Sequence, residues 1–120
     1  MTTPLELSTR YDDGITVLAA VGEIDMSNAG RFREALGQAD AAGGGCLVDL
    51  TGVGYLDSAG LTVLLYYAPR IKIVATAMLA PVLAVTGLDP ITTVVPAPKP
   101  VSRQPLEDRP RSPRERQDQA

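Results

Sequence analysis

The sequence predicts a small α/β domain, a mixed β-sheet flanked by α-helices, followed by a disordered tail. Three observations carry this reading. Short apolar runs of strand length alternate with stretches whose apolar residues fall at helical spacing. The apolar residues are mainly Val, Leu, Ile and Ala, with one Phe and no Trp, a composition that suits buried strands covered by helices. At Pro96 the apolar content gives way to Pro, Arg, Glu, Asp and Gln, with almost nothing to bury. The expected division is therefore a domain over 1–95 and a tail over 96–120.

Residues 5–11 alternate and predict an edge strand, and Asp12-Asp13-Gly14 is a turn signal. Residues 15–21 form a continuous apolar run, so the first two strands make a hairpin. Ser27 or Asn28 is positioned to cap a helix. Ala29, Phe32, Ala35, Leu36 and Ala39 form its apolar stripe, with Arg31, Arg33 and Glu34 outside. Gly43-Gly44-Gly45 ends that helix. No Gly-Lys-Ser/Thr follows, so these glycines are a linker and not a phosphate loop.

Residues 46–50 predict a buried strand, and 51–57 a loop containing Gly52 and Gly54. A helix begins near Ala59. Leu61, Leu64, Leu65 and Ala68 share one face, which predicts their burial and the exposure of Thr62 and Tyr66. Pro69 stops that helix, and 71–75 predict another buried strand. Pro81 suits the first turn of a third helix, with Leu79, Val82, Leu83 and Val85 as its apolar residues and Gly87 as its stop. Residues 91–95 predict a last strand between Pro90 and Pro96. Strand–helix–strand units of this length imply parallel neighbours.

Composition excludes several chemistries. Residues 1–96 carry five basic and ten acidic side chains, a net −5. Residues 97–120 carry six and four, a net +2, which together make the chain's −3. An acidic body argues against a nucleic-acid partner, because phosphate contacts need clustered Lys and Arg. There is no His, so neither a Ser-His-Asp triad nor an ordinary zinc site can be assembled, and no cofactor or metal is expected. The single cysteine, Cys46, opens an apolar run and reads as a buried thiol in a reducing, cytoplasmic setting. The start of the chain lacks a secretory signal. The uncharged stretch 73–88 is too short, and too interrupted by Pro81 and Gly87, for a membrane span.

The chemistry-bearing segment is 49–60, Asp-Leu-Thr-Gly-Val-Gly-Tyr-Leu-Asp-Ser-Ala-Gly. Asp57-Ser58 opens a helix, where free N–H groups and the helix dipole favour negative charge. Ser58 is in the usual place of an N-cap. A phosphate on it would be held by the amides that a cap uses.

The sequence resembles the anti-anti-sigma factors of the STAS-domain family. The resemblance rests on Gly22-Glu-Ile-Asp25, on Asp49-Leu-Thr-Gly-Val with Leu56-Asp-Ser-Ala-Gly60, and on Thr86-Gly-Leu-Asp89, in order across residues 5–95. It implies a STAS-like fold and a non-enzymatic role: binding an anti-sigma factor, often a serine kinase, and so releasing a sigma factor for transcription. Phosphorylation of Ser58 would end the complex, and a serine phosphatase would restore it. Partner contacts carried over from the family fall on Gly22, Glu23, Asp25, Met26 and Ser27, and on Asp57, Ser58, Ala59, Gly60 and Thr62. The helix after Ser58 exits more abruptly than the family pattern, through Pro69-Arg70 alone, so no contacts are carried over to its far end. Two rivals remain. One is a STAS-type accessory subunit docking to a transporter or larger assembly without a phosphorylation cycle. The other is a small hydrolase using Asp25 and Asp57.

Overall fold

The computed structural model describes residues 3–88 and 92–97. Strands β1 (Glu6–Asp12) and β2 (Ile15–Ile24) form an antiparallel hairpin, with Asp12 opposite Ile15. The two turn residues, Asp13 and Gly14, both have positive φ, 55° and 80°. That is the type I′ geometry whose twist matches the flanking strands.

Four elements alternate next: α1 (Ala29–Ala41), β3 (Cys46–Leu56), α2 (Ser58–Tyr67) and β4 (Ile71–Thr76). A 3₁₀ turn over Ala68–Arg70, carrying Pro69, joins α2 to β4. A short α3 (Ala80–Val85) and β5 (Thr93–Ala97) follow. The sheet order is β1-β2-β3-β4-β5, with every pair after the first parallel.

One face of the sheet supplies Leu18, Ala20 and Ile24, then Cys46, Val48 and Leu50, then Ile71, Ile73 and Ala75. These join Phe32, Leu36 and Ala39 of α1, Val63 and Leu64 of α2, and Leu83 of α3 in one core cluster. All three helices therefore pack on the same face, as right-handed crossovers between consecutive neighbours require. Val17 points the other way. It is only 3% exposed yet lies outside that cluster.

The secondary-structure elements depart from the sequence reading in five places. The segment 51–57 is not a loop, because β3 runs on to Leu56 beside the upper half of β2. The register slips between Ala19 and Val21 and again between Gly22 and Glu23, each slip placing one extra residue on β3. These are β-bulges, which glycines accommodate and local propensity hides. On α2, Leu64 and Ala68 are buried as expected, but Leu61 is half-buried and Leu65 is 40% exposed. The buried face is instead Gly60, Val63 and Leu64. A helix apolar on nearly every side does not announce which way it will turn. Thr62 and Tyr66 are exposed, as the spacing implies.

On α3, Leu79 and Leu83 are buried, whereas Val82 is exposed and Val85 is 87% exposed, since so short a helix offers one face only. Asn28 holds the N-cap position of α1, but neither it nor Ser27 caps the helix with its side chain. Lastly, β5 spans Thr93–Ala97 rather than 91–95 and pairs Pro96 with Ala75. A proline is tolerated there because β5 is an edge strand. The Thr92 hydroxyl donates to the Ile71 carbonyl, tying the approach of β5 to the start of β4. Asp89 and residues 98–120 lie outside the described residues.

Candidate functional site

Two loops meet at the carboxyl ends of β2 and β3. The Asp57 N–H donates to the Ile24 carbonyl at 3.1 Å, which stitches the start of α2 to the end of β2. Gly60 completes the joint. A Cβ at that position would collide with Leu56 Cδ1 and stand 2.9 Å from Ile24 Cγ2, so the helix approaches the sheet as closely as only glycine permits.

Asp57, not Ser58, is the N-cap of α2. Its Oδ1 accepts from the Ala59 N–H at 2.9 Å and the Gly60 N–H at 3.3 Å. Ser58 is therefore the first helical residue and is exposed. This corrects two expectations. Ser58 does not spend its hydroxyl on capping. A phosphate on it would find the amides of the first turn already donating to Asp57.

The loop after β2 is organised by its own polar side chains. Asp25 Oδ1 accepts from the Ser27 N–H and hydroxyl. Asn28 turns back, accepting from the Asp25 N–H and donating to the Glu23 carbonyl, both at 2.9 Å. The hydrogen bond from the Ser27 hydroxyl, then that from its N–H, hold the Asp25 carboxyl below its ordinary range. Asp25 is thus kept ionised, and each carboxylate is committed to its own turn. A hydrolase would need one carboxyl raised to serve as general acid, and Asp25 is shifted the wrong way.

The ten carried-over contact positions separate by exposure. Met26, Ser27, Ser58 and Thr62 are exposed, and Glu23, Asp25, Asp57 and Ala59 are half-buried. Gly22 and Gly60 are buried. Gly22 has φ 110°, and a Cβ there would meet the Pro4 carbonyl oxygen, so the N-terminal segment crosses directly over it. The Asp49-Leu-Thr motif also has a structural job. Asp49 Oδ1 accepts from the Thr51 N–H and hydroxyl at 2.9 and 2.7 Å, at the first bulge of β3.

Beside Ser58 lies a groove of about 710 Å³ between α1 and α2. Met26, Ala29, Gly30 and Arg33 line it from the α1 side. Ala59, Thr62, Val63, Tyr66 and Tyr67 line it from α2. Met26 is 82% exposed and Tyr66 71%. Sequence reasoning missed Gly30, Arg33 and Tyr66. The signal was available: Met26, Gly30 and Arg33 recur at helical spacing off the core stripe, as do Ala59, Thr62 and Tyr66.

Among the described residues, no helix is long and apolar enough to cross a membrane, and no group of three or more Cys, Asp or Glu could hold a metal ion. The architecture, with a bulged β3 feeding a capped helix at a glycine joint, defines a known class. The chain belongs to the STAS domain family, whose model matches residues 6–95. Among solved structures it is similar to an anti-sigma factor antagonist from Mycobacterium paratuberculosis. The two share 26% identity over 78% of this chain and 87% of that one, with a TM-score of 0.73. It is also similar to the anti-sigma factor antagonist SpoIIAA in its unphosphorylated form, at 18% identity, 77% and 88% coverage and a TM-score of 0.57. A Thermotoga maritima protein gives 18%, 76% and 86%, and 0.60. The last two likenesses establish the fold alone. No curated protein matches significantly in sequence.

Proposed function

We propose that this chain is an anti-sigma factor antagonist. It binds an anti-sigma factor of the serine-kinase type in the cytoplasm and so frees a sigma factor. It acts by binding and not by catalysis, and phosphorylation of Ser58 ends the complex until a serine phosphatase reverses it. The observation that carries this reading is the Asp57–Ser58 junction. Asp57 fixes the first turn of α2, and Ser58 is left exposed with its hydroxyl free for a kinase. The likeness to the mycobacterial anti-sigma factor antagonist supports the choice of partner class.

The amides of the first turn already bond Asp57, so a phosphoryl group on Ser58 projects outward toward the partner. It adds about −1.5 to −2 charges to a rim that already holds Asp25 and Asp57. The fold survives, and the interface loses: an unpaired dianion is desolvated against a surface suited to a neutral serine. Every 1.4 kcal/mol lost that way weakens binding tenfold.

Intact-mass spectrometry after incubation with candidate anti-sigma kinases and ATP tests the modification, and calorimetric titration tests its effect. Ser58→Ala folds, binds and gains no phosphate. Ser58→Glu folds and binds more weakly. Tight binding by Ser58→Glu, together with stoichiometric phosphorylation of Ser58→Ala, would remove Ser58 from the switch.

A further inference from the structure

We propose that the α1–α2 groove seats an apolar, acidic segment of the protein partner, and that Arg33 reads that segment's carboxylate. The inference rests on the partner-binding reading above and adds the chemistry of what is bound.

The groove has the makings of a recognition slot. Its floor is short side chains, and a Cβ at Gly30 would meet nothing within 4 Å, so the space above α1 is open. Its rim carries Met26 and Tyr66, both exposed. Flexible thioether and aromatic side chains are enriched where proteins bind one another. An apolar side chain laid between them would cover surface that now faces water.

Charge selects the occupant. Arg33 is the one charged residue lining the groove. The two nearby loop carboxylates are already engaged, Asp25 by Ser27 and Asp57 by the first-turn amides. Among the described residues the only ion pair joins Arg70 to Asp40. Arg33 therefore offers its guanidinium to an incoming carboxylate. An exposed cation of this kind contributes more to selectivity than to affinity, so the apolar slot supplies the attraction and Arg33 the preference. The body of the chain, at a net −5 over residues 1–96, otherwise repels an acidic segment. Its acceptance at this groove is thus a local property that one substitution can reverse.

The probes are two synthetic amphipathic helical peptides with the same leucine stripe, one flanked by glutamates and the other by lysines. Each is titrated into the isotopically labelled full chain and followed by amide chemical shifts. The acidic peptide should perturb Ala29, Gly30, Ala59 and Thr62 and bind about tenfold more tightly than the basic one, a difference of about 1.4 kcal/mol. Arg33→Glu should invert that preference. Gly30→Leu should weaken both peptides by blocking the slot. It also replaces glycine with a better helix former, so any loss of binding is not a loss of fold. Equal affinity for the two peptides, unchanged binding by Gly30→Leu, or shifts clustered away from the groove would each overturn the proposal. The probe is a peptide and not an anti-sigma factor. A chain that binds the anti-sigma factor but fails with the peptides loses the groove assignment alone. A chain that binds the acidic peptide but no anti-sigma factor retains the groove and loses the function proposed above.

Discussion

The two ends of α2 are fastened by different physics. The near end is held by burial. Asp57 caps the first turn, and Gly60 presses against Ile24 and Leu56 of the core. The far end adds contacts at the surface to the burial of Ala68. Tyr67 leans toward Gly37 of α1, with its hydroxyl 2.9 Å from where a Cβ on Gly37 would stand. Arg70 lies over the Tyr67 ring at 5.4 Å and pairs with Asp40 at 3.0 Å. Buried close packing is costly to disturb, whereas exposed ion pairs contribute about 0–1 kcal/mol. The end that carries Ser58 is thus the one seated most closely on the sheet, through Gly60.

This contrast can be broken at several points. The largest effect is expected midway, where Leu64 is fully buried between the two ends. Leu64→Ala should cost about 2–5 kcal/mol, read as a fall in the urea midpoint at unchanged slope. A wild-type midpoint would place Leu64 outside the core.

Next come the two glycines, which sharpen the comparison because the substitution is the same. Gly60→Ala overpacks a buried joint, which costs about 1–3 kcal/mol and outweighs the gain of about 1 kcal/mol in helix propensity. At Gly37 the only near neighbour is the end of a Tyr67 side chain, which can swing aside, so Gly37→Ala should be neutral or stabilising. Thermal melts of both variants decide it, and equal losses would mean the two ends are fastened alike.

Removing the cap with Asp57→Ala should cost about 1 kcal/mol, seen as faster hydrogen exchange at Ala59 and Gly60. Arg70→Ala removes an exposed ion pair and a cation–π contact and should cost under about 1 kcal/mol. A larger loss by equilibrium unfolding would make the far end the stronger anchor.

The smallest effect is electrostatic and lies in the neighbouring loop. Asp25 titrates below its ordinary 3.8, chiefly through the Ser27 hydroxyl. A carboxyl lowered in the folded state contributes stability that is present above the unfolded pKa and fades as pH falls through the folded one. Ser27→Ala should therefore raise the Asp25 midpoint toward 3.8 and shift that fading to slightly higher pH. Carboxyl-carbon NMR titration would read it, and an unmoved midpoint would show that Ser27 does not hold Asp25.

Much of this is legible in the sequence alone. Alternation and helical spacing are local signals, so the element order, the Asp13-Gly14 turn and the stripe of α1 could be read directly. So could the exposed serine at the start of α2. The groove was harder to find, because Arg33 and Tyr66 lie on different helices and look like ordinary solvent-facing residues until α1 and α2 are set side by side. The identity of the cap was ambiguous for a different reason. Asp57 and Ser58 are both good caps by residue type, and the choice depends on the Asp57 N–H bonding Ile24 across the sheet.

What the sequence by itself determined was the set of elements and their order, because each follows from the period and composition of a short window. What only the tertiary structure decided was whatever depends on a neighbour distant in sequence. The upper half of β3 is a strand because β2 lies beside it to supply the ladder, through two bulges that glycines permit. The face that α2 buries was set by the close seat of Gly60 on Leu56 and Ile24. A helix apolar on nearly every side carries no phase of its own, and packing against the sheet imposes one.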